Sequence, residues 1–406
     1  MMRGSRRIVS YIGIAFVTLL AWSIGLTNAQ SIQQLTDIVE LRYDTNALTG
    51  QHIKDVQKGE GESKEPLLTD FLAWRQVGGK KFENQELNKR IEGDVVEVYG
   101  NTALFIPMGR VNGQMIDEGN HEGVIVTEAI AQSLWGSLEV IGKTLTLEEK
   151  NYSVRGILEA DEPYIIMASD LEDEDSSFTA LRMQFVEHGN VEGTIHTMKL
   201  KYNLPDGVLK NLSLTSILLS QLALLPGVLL GLYGLFRLYK FLYKTHRYWV
   251  SALILGGLSW LVTWIVIQIV KFPIDIPDYI IPNQWSDFDF WANLVENMIK
   301  NQQELKALPF LLPDHLYSGI QMNLVGGLII ACIGGIALCF IIKVREAREL
   351  FWGVLTSGGL SFLTSMLVYQ SVGQVALTRA FWAVIPIYLL IDFVIRKWKE
   401  LLEHQD

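Results

Sequence analysis

Residues 122–158 read EGVIVTEAIAQSLWGSLEVIGKTLTLEEKNYSVRGIL, and this stretch decides how the polar part of the chain folds. The apolar run 123–126 predicts a short strand, and the helical spacing of apolar residues predicts a helix over 127–135. Thr127 is a residue type that caps helix N-termini, and Gly136 is the type that ends helices. The stretch therefore begins with a strand that leads into a short helix.

The sequence on both sides of this helix mixes strands and helices. Segments 143–147 and 152–158 alternate in polarity, as strands do. Upstream, residues 66–76 (PLLTDFLAWRQ) space their apolar side chains near the helical period, so residues 30–80 are predicted to be rich in helix. Further strands are predicted at 94–99, 164–167, 178–185 and 194–201. Because strands and helices do not alternate regularly, the pattern predicts an α+β domain.

The polar segment 27–211 is acidic, with 17 Lys and Arg residues against 31 Asp and Glu residues. Nucleic-acid binding requires a basic face, so this composition excludes nucleic acid as a partner. The only two cysteines, Cys332 and Cys339, lie in one apolar run outside the segment. The segment is therefore expected to fold without disulfides, on a hydrophobic core of its own.

Six apolar runs dominate the rest of the chain. Only 19% of the 406 residues are charged, below the roughly 25% of an average soluble protein. The runs cover residues 8–26, 212–236, 248–270, 322–342, 351–369 and 375–395. Each has the length of about 17–25 residues that crosses a bilayer. The sequence excludes a soluble enzyme and predicts an α-helical integral membrane protein with six transmembrane helices and an extracytoplasmic α+β domain.

Positive charges predict how the chain is oriented in a cell (inner or cytoplasmic) membrane. Arg3, Arg6 and Arg7 precede the first run, and loops rich in Lys and Arg stay in the cytoplasm. The same side receives the basic residues Arg237, Lys240, Lys244, Arg247, Lys343, Arg345, Arg348, Arg396, Lys397 and Lys399. The opposite loop, 271–321, carries three lysines and seven acidic residues. Both termini are therefore predicted to be cytoplasmic.

The first run exceeds the apolar core of about 7–15 residues found in signal peptides, so we expect an uncleaved anchor rather than a cleaved leader. The predicted organisation is an anchor at 1–29, an extracytoplasmic domain at 30–211, two membrane helices at 212–270, an extracytoplasmic loop at 271–321, and three membrane helices with a cytoplasmic tail at 322–406. In that loop, an amphipathic helix on the bilayer or against the domain would bury Phe290, Trp291, Leu294 and Met298.

The stretch 122–158 resembles the periplasmic core domain of MacB/FtsX-type ABC transporter permeases. In that family V-S-E-x-x-A-x-x-L-F-G leads to I-G-K-x-[IL] and then to Y-x-V-x-G-V-L. The matching residues here are Val126, Thr127, Glu128, Ala131, Leu134, Trp135 and Gly136, then Ile141, Gly142, Lys143 and Leu145, then Tyr152, Val154, Gly156, Ile157 and Leu158. The resemblance implies a MacB-like core domain followed by membrane helices. Family members typically carry three helices after this domain, whereas the runs here predict five.

The family-motif residues Glu128, Gly136, Gly142, Lys143, Tyr152 and Gly156 identify a scaffold and no active site. Glycines suit turns and close contacts between backbones, and Glu128 in the first turn of a helix favours the helix dipole. The resemblance implies instead that a cytoplasmic ABC ATPase supplies the energy as a separate subunit.

The segment 343–350 (KVREAREL) is the candidate contact for that ATPase. In MacB/FtsX-type permeases a short basic-acidic helix at this depth docks on the ATPase, and the resemblance assigns this role to Arg345, Glu346, Arg348 and Glu349. The alternative is a solvated loop whose charges merely follow the positive-inside rule.

No pattern of catalytic, cofactor or metal-binding residues is found in the sequence. A Walker A loop, a Gly-x-Ser-x-Gly element and a paired histidine motif are all absent, so no enzyme, cofactor or metal is predicted. Gly227 and Gly231, and likewise Gly327, Ala331 and Gly335, follow spacings that bring membrane helices close together. These small residues serve contacts within the chain or a face for a second copy.

Two functions remain open from the sequence. The first is a permease-like subunit that couples a cytoplasmic ABC ATPase to the extracytoplasmic domain, with membrane lipids and either a second copy or a related permease subunit as further partners. The second is a standalone membrane receptor or scaffold that binds an extracytoplasmic ligand without an ATPase. Asp392 and Arg396 are expected to form an ion pair at i,i+4 spacing in either case.

Overall fold

The architecture was obtained as a computed structural model of the whole chain. The structure describes residues 2–107, 110–116, 119–171, 176–186, 191–245, 288–376 and 378–403, together with residues 257, 284 and 286. Except for residue 257, the third predicted membrane run, 248–270, lies outside the described residues.

Helices and strands alternate irregularly along the described part of the chain. The helices are α1 (Met2–Gln33), α2 (Gly50–Gly61), α3 (Glu128–Trp135), α4 (Val191–Lys201), α5 (Leu212–Leu222), α6 (Leu225–Thr245), α7 (Phe288–Ala307), α8 (Leu312–Ile341), α9 (Ala347–Val372) and α10 (Arg379–Glu403). The strands are β1 (Ile38–Arg42), β2 (Leu48–Thr49), β3 (Leu68–Asn84), β4 (Lys89–Gly100), β5 (Val111–Gly113), β6 (Gly123–Thr127), β7 (Thr144–Leu147), β8 (Lys150–Leu158), β9 (Tyr164–Ala168), β10 (Ser177–Phe178), β11 (Ala180–Phe185) and β12 (Val208–Asn211).

The chain divides into two compact units. The helical unit contains Met1–Ser31, Leu218–Ile274 and Ile320–Asp406, and the sheet unit contains Ile32–Ile217 and Asp275–Gly319.

One ten-stranded sheet organises the sheet unit, in the order β12-β1-β11-β3-β4-β9-β6-β8-β5, with β7 pairing with β3 and β8. Two pairs, β4 with β9 and β6 with β8, are parallel, and the other pairs are antiparallel. A short sheet of β10 and β2 completes the unit. The predicted α+β character of this part of the chain is confirmed.

Two hydrophobic clusters lie on this sheet. In one, Ile53 of α2 and Met198 of α4 pack with Leu181 of β11. In the other, Ile130 and Leu134 of α3 pack against β4, β6, β8 and β9. Helices therefore cover the sheet at two places, where the apolar side chains of its strands would otherwise face water.

Two predictions of secondary structure were wrong. Residues 66–76, predicted as helix, belong largely to β3, where Leu72, Ala73 and Trp74 are all fully buried. In a central strand both faces can be covered, so apolar residues follow one another and the alternation typical of strands disappears. Residues 194–201, predicted as a strand, lie in α4, where Ile195 and Met198 are three positions apart on its buried side.

The helix of the sequence motif ends as predicted but is capped differently at its start. Gly136 has φ +70° and donates its N–H to Gln132 O, in agreement with the predicted helix end. Thr127 occupies the N-cap position, but its side chain makes no capping hydrogen bond. Its Oγ1 instead accepts a hydrogen bond from Tyr164 N at 3.1 Å, which joins β6 to the start of β9.

The two edges of the ten-stranded sheet are short. β12 forms one edge with four residues, and β5 forms the other with three. Beside β12 lies α7, whose Asn301 donates a side-chain hydrogen bond to Leu209 O at 2.8 Å. A helix is therefore formed at the predicted place in the loop, and its C-terminal half touches the sheet. None of its residues is buried in the structure, so packing of the predicted apolar face against the domain is not confirmed.

The helical unit contains long apolar helices. Four candidate membrane spans occur among the described residues, namely Ser10–Gln33, Leu212–Tyr243, Leu312–Ile341 and Ala347–Val372. The sixth predicted run, 375–395, falls within α10, which contains Asp392 and Arg396 and is not one of the four. The prediction of six membrane helices is therefore not confirmed. The span that corresponds to the fourth predicted run begins at Leu312, ten residues before the predicted start at 322.

Small residues bring α1 and α8 close together. A Cβ atom on Gly327 would lie 2.6 Å from Ala21 O, and one on Gly25 would lie 3.1 Å from Leu328. Ala223 lies in the short break between α5 and α6. Its backbone oxygen accepts a hydrogen bond from the indole N–H of Trp22 in α1 at 2.9 Å. The glycine spacing at Gly327 thus serves contacts within the chain, as one of the two predicted alternatives states.

The side chains of α9 have the distribution expected in lipid. Its buried residues are mostly small and polar, namely Ser357, Ser361, Thr364, Ser365 and Val368. Its exposed residues include Phe351, Phe362 and Tyr369, each more than half exposed. Water disfavours so much exposed apolar surface, whereas hydrocarbon does not.

Candidate coupling site

The candidate site lies where α8 leads into α9. α8 ends at Ile341 and α9 begins at Ala347, so residues 342–346 form a short non-helical link. The predicted coupling segment 343–350 is therefore not one helix, because its first half is this link and its second half is the first turn of α9. The link fixes the position of the charged residues that follow.

Asp392 anchors the link from α10. Its side chain is fully buried, and its Oδ2 accepts a hydrogen bond from Val344 N at 2.8 Å. Arg396 Nε donates to the same oxygen at 2.8 Å, so the predicted pair of Asp392 with Arg396 is confirmed. A buried carboxylate requires such charged or N–H partners, and here one of them belongs to the backbone of the link.

Arg237 of α6 completes the anchor. Its Nη2 lies 2.7 Å from Asp392 Oδ1, and its Nη1 donates to Tyr388 Oη at 2.8 Å. Tyr388 in turn donates its hydroxyl to Cys339 O near the end of α8, at 3.3 Å. One carboxylate and one tyrosine therefore tie α6, α8, the link and α10 together.

The four candidate coupling residues are all exposed beside this anchor. Glu349 Oε2 accepts hydrogen bonds from Arg345 N at 2.8 Å and from Glu346 N at 3.4 Å, which satisfies N–H groups at the start of α9. Glu349 therefore has a structural role in addition to any contact with a partner. Among the described residues, neither Arg345 nor Arg348 forms an ion pair with a carboxylate.

Two exposed guanidinium groups, those of Arg345 and Arg348, lie next to the backbone segment that Asp392 holds in place. Arg345 lies in the link, directly after Val344, whose backbone N–H is bonded to the buried Asp392, and Arg348 lies in the first turn of α9. Arginine donates up to five hydrogen bonds in a planar fork and binds carboxylates strongly. The site is thus chemically suited to bind an acidic surface of another protein.

The sequence predicted the exposed residues of this site and the pair of Asp392 with Arg396. It did not predict the other residues that bond to Asp392 or to its neighbours. Asp392 and Arg396 were paired from their spacing along one helix. Arg237, Val344 and Tyr388 come from other elements, and no spacing relates them to Asp392. The available signal was Asp392 itself, since a carboxylate within an apolar run requires a cationic partner.

The three motif glycines occupy positions that restrict side chains. Gly136 and Gly142 have φ +70° and +84°, which most residues adopt only with strain. Gly156 lies in β8, where a Cβ atom would be 2.9 Å from Gln114 O. The pairing of β6 with β8 also shifts register beside Gly156, between Val124 and Ile125 of β6. These glycines shape the scaffold.

The other motif residues lie in or beside α3, β7 and β8 of the sheet unit. Glu128 is the first residue of α3, and burial together with the charges of Glu159 and Asp161 raises its pKa. Lys143 is exposed, and its backbone oxygen accepts a hydrogen bond from Val154 N at 2.9 Å. Tyr152 is half-buried in β8 opposite Leu145. These motif residues belong to the sheet unit, and the candidate coupling residues belong to the helical unit. Within the described ranges no group of three metal-ligating side chains is found.

Comparison with known proteins agrees with the predicted resemblance. The model of the MacB-like periplasmic core domain matches residues 11–199. Among solved structures, the periplasmic region of MacB from Actinobacillus actinomycetemcomitans is 11% identical, with a TM-score of 0.35, and the alignment covers 44% of this chain and 89% of that one. The extracellular domain of the noncanonic ABC-type transporter YknZ from Gram-positive bacteria is 10% identical, with a TM-score of 0.32, over 43% of this chain and 97% of that one. No curated protein matches the chain.

Proposed function

We propose that this chain, a MacB/FtsX-type permease by its core domain, is the subunit that couples a separate cytoplasmic ABC ATPase to its extracytoplasmic domain. In this role the chain hydrolyses no nucleotide. Its membrane helices carry a movement from the ATPase to the sheet unit, which acts on a substrate or partner outside the cytoplasm.

The observation that carries the proposal is the anchored, exposed segment between α8 and α9. A docking site must receive force without local rearrangement, and the buried Asp392 fixes Val344 directly before the exposed arginines. The positive charge of this segment also agrees with the predicted cytoplasmic side, where an ATPase would be found.

The proposal is tested by isolating the full chain from its native membranes in mild detergent, with crosslinking, and identifying any ABC ATPase that accompanies it. The variant Arg345→Glu/Arg348→Glu reverses both exposed charges. We expect at least about tenfold less ATPase in the isolate, since charge pairs at interfaces contribute on the order of 1.5 kcal/mol or more each.

The matched control is Lys397→Glu/Lys399→Glu, which makes the same charge change at two exposed residues of α10 on the same predicted side of the membrane. This control is expected to retain the ATPase. Absence of any ABC ATPase from the wild-type isolate would contradict the proposal and favour a standalone receptor or scaffold. Equal loss in both variants would show that overall charge, and no specific docking contact, controls association.

A further inference from the structure

Three adjacent strands of the sheet unit and the first turn of α8 carry a largely buried charge cluster, which consists of Glu40, Arg42, Arg182, Lys210 and Asp314. Glu40 of β1 lies directly opposite Arg182 of β11 on one side and opposite Lys210 of β12 on the other. Arg42 is two positions after Glu40 and so lies on the same face of β1. Side chains from three strands therefore meet on one face of the sheet.

Glu40 is at the centre of the cluster and is fully buried. Its Oε1 accepts hydrogen bonds from Arg42 Nε at 3.0 Å and Nη2 at 2.6 Å, and its Oε2 accepts one from Arg182 Nε at 2.5 Å. Burial alone would raise the pKa of Glu40, but the charges of Arg182, Arg42 and Lys210 outweigh burial and hold that pKa well below its usual value. The carboxylate is thus ionised at neutral pH.

The fifth member of the cluster comes from the first turn of α8. Asp314 accepts hydrogen bonds from Arg42 Nη1 at 2.5 Å, from Lys210 Nζ, and from Leu311 N at 3.0 Å. The ring of Tyr317, one turn later, lies 5.3 Å from the guanidinium of Arg182. The beginning of α8 is therefore attached to β1, β11 and β12 through ionic groups.

Charged contacts of this kind fix the position of α8 along the strands of the sheet. An apolar contact between a helix and a sheet can slide, because many side-chain arrangements bury similar areas. Here any shift would leave a buried charge without its partner, which is far more costly than the loss of an apolar contact. The joint between α8 and the sheet is therefore stiff against sliding.

The same helix runs without interruption from Asp314 to the candidate coupling site. α8 extends over 30 residues, about 45 Å at the rise of an α-helix, and ends at Ile341 just before the link anchored by Asp392. Among the helices that the structure describes, α8 has a charged contact with the sheet in its first turn and the coupling link directly after its last residue.

We infer that α8 is the helix that transmits movement from the coupling segment to the extracytoplasmic domain, and that the Arg42–Asp314–Lys210 contact is the joint through which it acts. This inference rests on the proposed function. Asp314 is a positioning residue in this role, since it acts on the sheet through Arg42 and Lys210 and touches no substrate.

The test uses the full chain in lipid nanodiscs, without any ATPase, and follows amide hydrogen exchange in residues 208–211 and 312–319. Asp314→Asn is expected to speed exchange there by about tenfold, the result of losing a charged hydrogen bond worth about 1.4 kcal/mol or more. Asp392→Asn in α10 weakens the contact with Val344 in the link that follows α8. This variant is expected to speed exchange in the same residues by at least about threefold. In the double variant, Asp392→Asn should add nothing, because the joint is already broken.

Two further variants keep the test decisive. Glu148→Gln removes an exposed ion pair with Lys80 in the same unit and should leave exchange in these residues unchanged. Lys210→Met replaces Asp314→Asn if that variant fails to fold. If Asp392→Asn has no effect on residues 208–211 and 312–319, or the same effect with and without Asp314, the two ends are independent and the inference is wrong. That result would leave the ATPase contact, tested by co-isolation, unaffected.

Discussion

Glu60 is a single residue that holds two separate elements of the sheet unit together. Its carboxylate lies at the end of α2 and accepts hydrogen bonds from the backbone N–H groups of Leu67 at 2.6 Å and Leu68 at 3.1 Å. It also accepts hydrogen bonds from Lys201 Nζ at 2.8 Å and Tyr202 Oη at 2.5 Å. Burial alone would raise the pKa of Glu60, but Lys201, Tyr202 and the two N–H groups outweigh burial and lower it.

We expect Glu60→Gln to reduce the free energy of unfolding by about 1–3 kcal/mol at neutral pH. Because the folded pKa lies below the unfolded value of about 4.3, the carboxylate stabilises the fold above that pH and loses this effect as the pH falls through the folded pKa. Thermal unfolding of the full chain in detergent at about pH 7.5 and about pH 3.5 measures the difference.

The difference in thermal stability between the wild type and Glu60→Gln should be smaller at the acidic pH than at neutral pH. Glu62→Gln, two positions later and exposed, is the control and should have little effect at either pH. A gap that is equal at both pH values would contradict the assignment of Glu60 as an ionised group that stabilises the fold.

At the level of elements, the contact between α1 and α8 depends on which of two adjacent glycines faces the partner helix. A Cβ atom on Gly327 would lie 2.6 Å from the backbone oxygen of Ala21, whereas nothing lies within 4 Å of a Cβ atom on Gly326. The backbone oxygen of a helix cannot move aside as a flexible side chain can. Position 326 therefore has room for a side chain, whereas position 327 does not.

Gly327→Ala is expected to destabilise the helical unit by about 1–3 kcal/mol, since an added methyl group in a full interface forces backbones apart. Gly326→Ala adds the same methyl group one residue earlier and should be neutral or slightly stabilising, because alanine favours helix. Thermal unfolding of both variants in the same detergent measures the contrast, and equal effects would show that α1 and α8 are not in contact at this point.

The sequence predicted elements best where one face is buried and the other is exposed. The helix α3 and the strands around it were predicted within a few residues, because Ile130 and Leu134 face a core while the other side faces solvent. In β3 this contrast is absent, since Leu72, Ala73 and Trp74 are all buried. Burial on both faces is set by tertiary contacts, so no local pattern could have shown that 66–76 is a strand.

The candidate site was predictable only in its charged, exposed part. Arg345 and Arg348 follow an apolar run and so attract attention in the sequence. The contact of Asp392 with Val344 N involves a backbone N–H group, which any residue except proline would provide at position 344. The attachment of Asp314 to Arg42 joins segments far apart in the chain, and only the fold brings them together.

At the scale of the whole molecule, the segregation of charge makes a prediction about sidedness. The acidic segment 27–211 is expected outside the cytoplasm and the basic link at Arg345 inside. The charge rule depends on how the chain inserts in the membrane, so it applies to each loop independently of the fold.

Single-cysteine labelling of intact cells measures this orientation. With Cys332 and Cys339 replaced by serine, Lys150→Cys at the exposed first residue of β8 should react with a membrane-impermeant maleimide. Arg345→Cys should react only after the cells are permeabilised. Labelling of position 345 in intact cells would contradict the cytoplasmic location of the link and, with it, contact with an ATPase.

The short edges of the large sheet affect how the molecule behaves among its neighbours. A long free edge strand attracts strands from other chains, which leads to aggregation. Here β5 has only three residues, and Leu209 of β12 already accepts a hydrogen bond from Asn301 of α7. Such a sheet is a poor template for β-pairing with other chains. Lasting assembly with another protein would therefore use side-chain surfaces or helices, rather than strand addition.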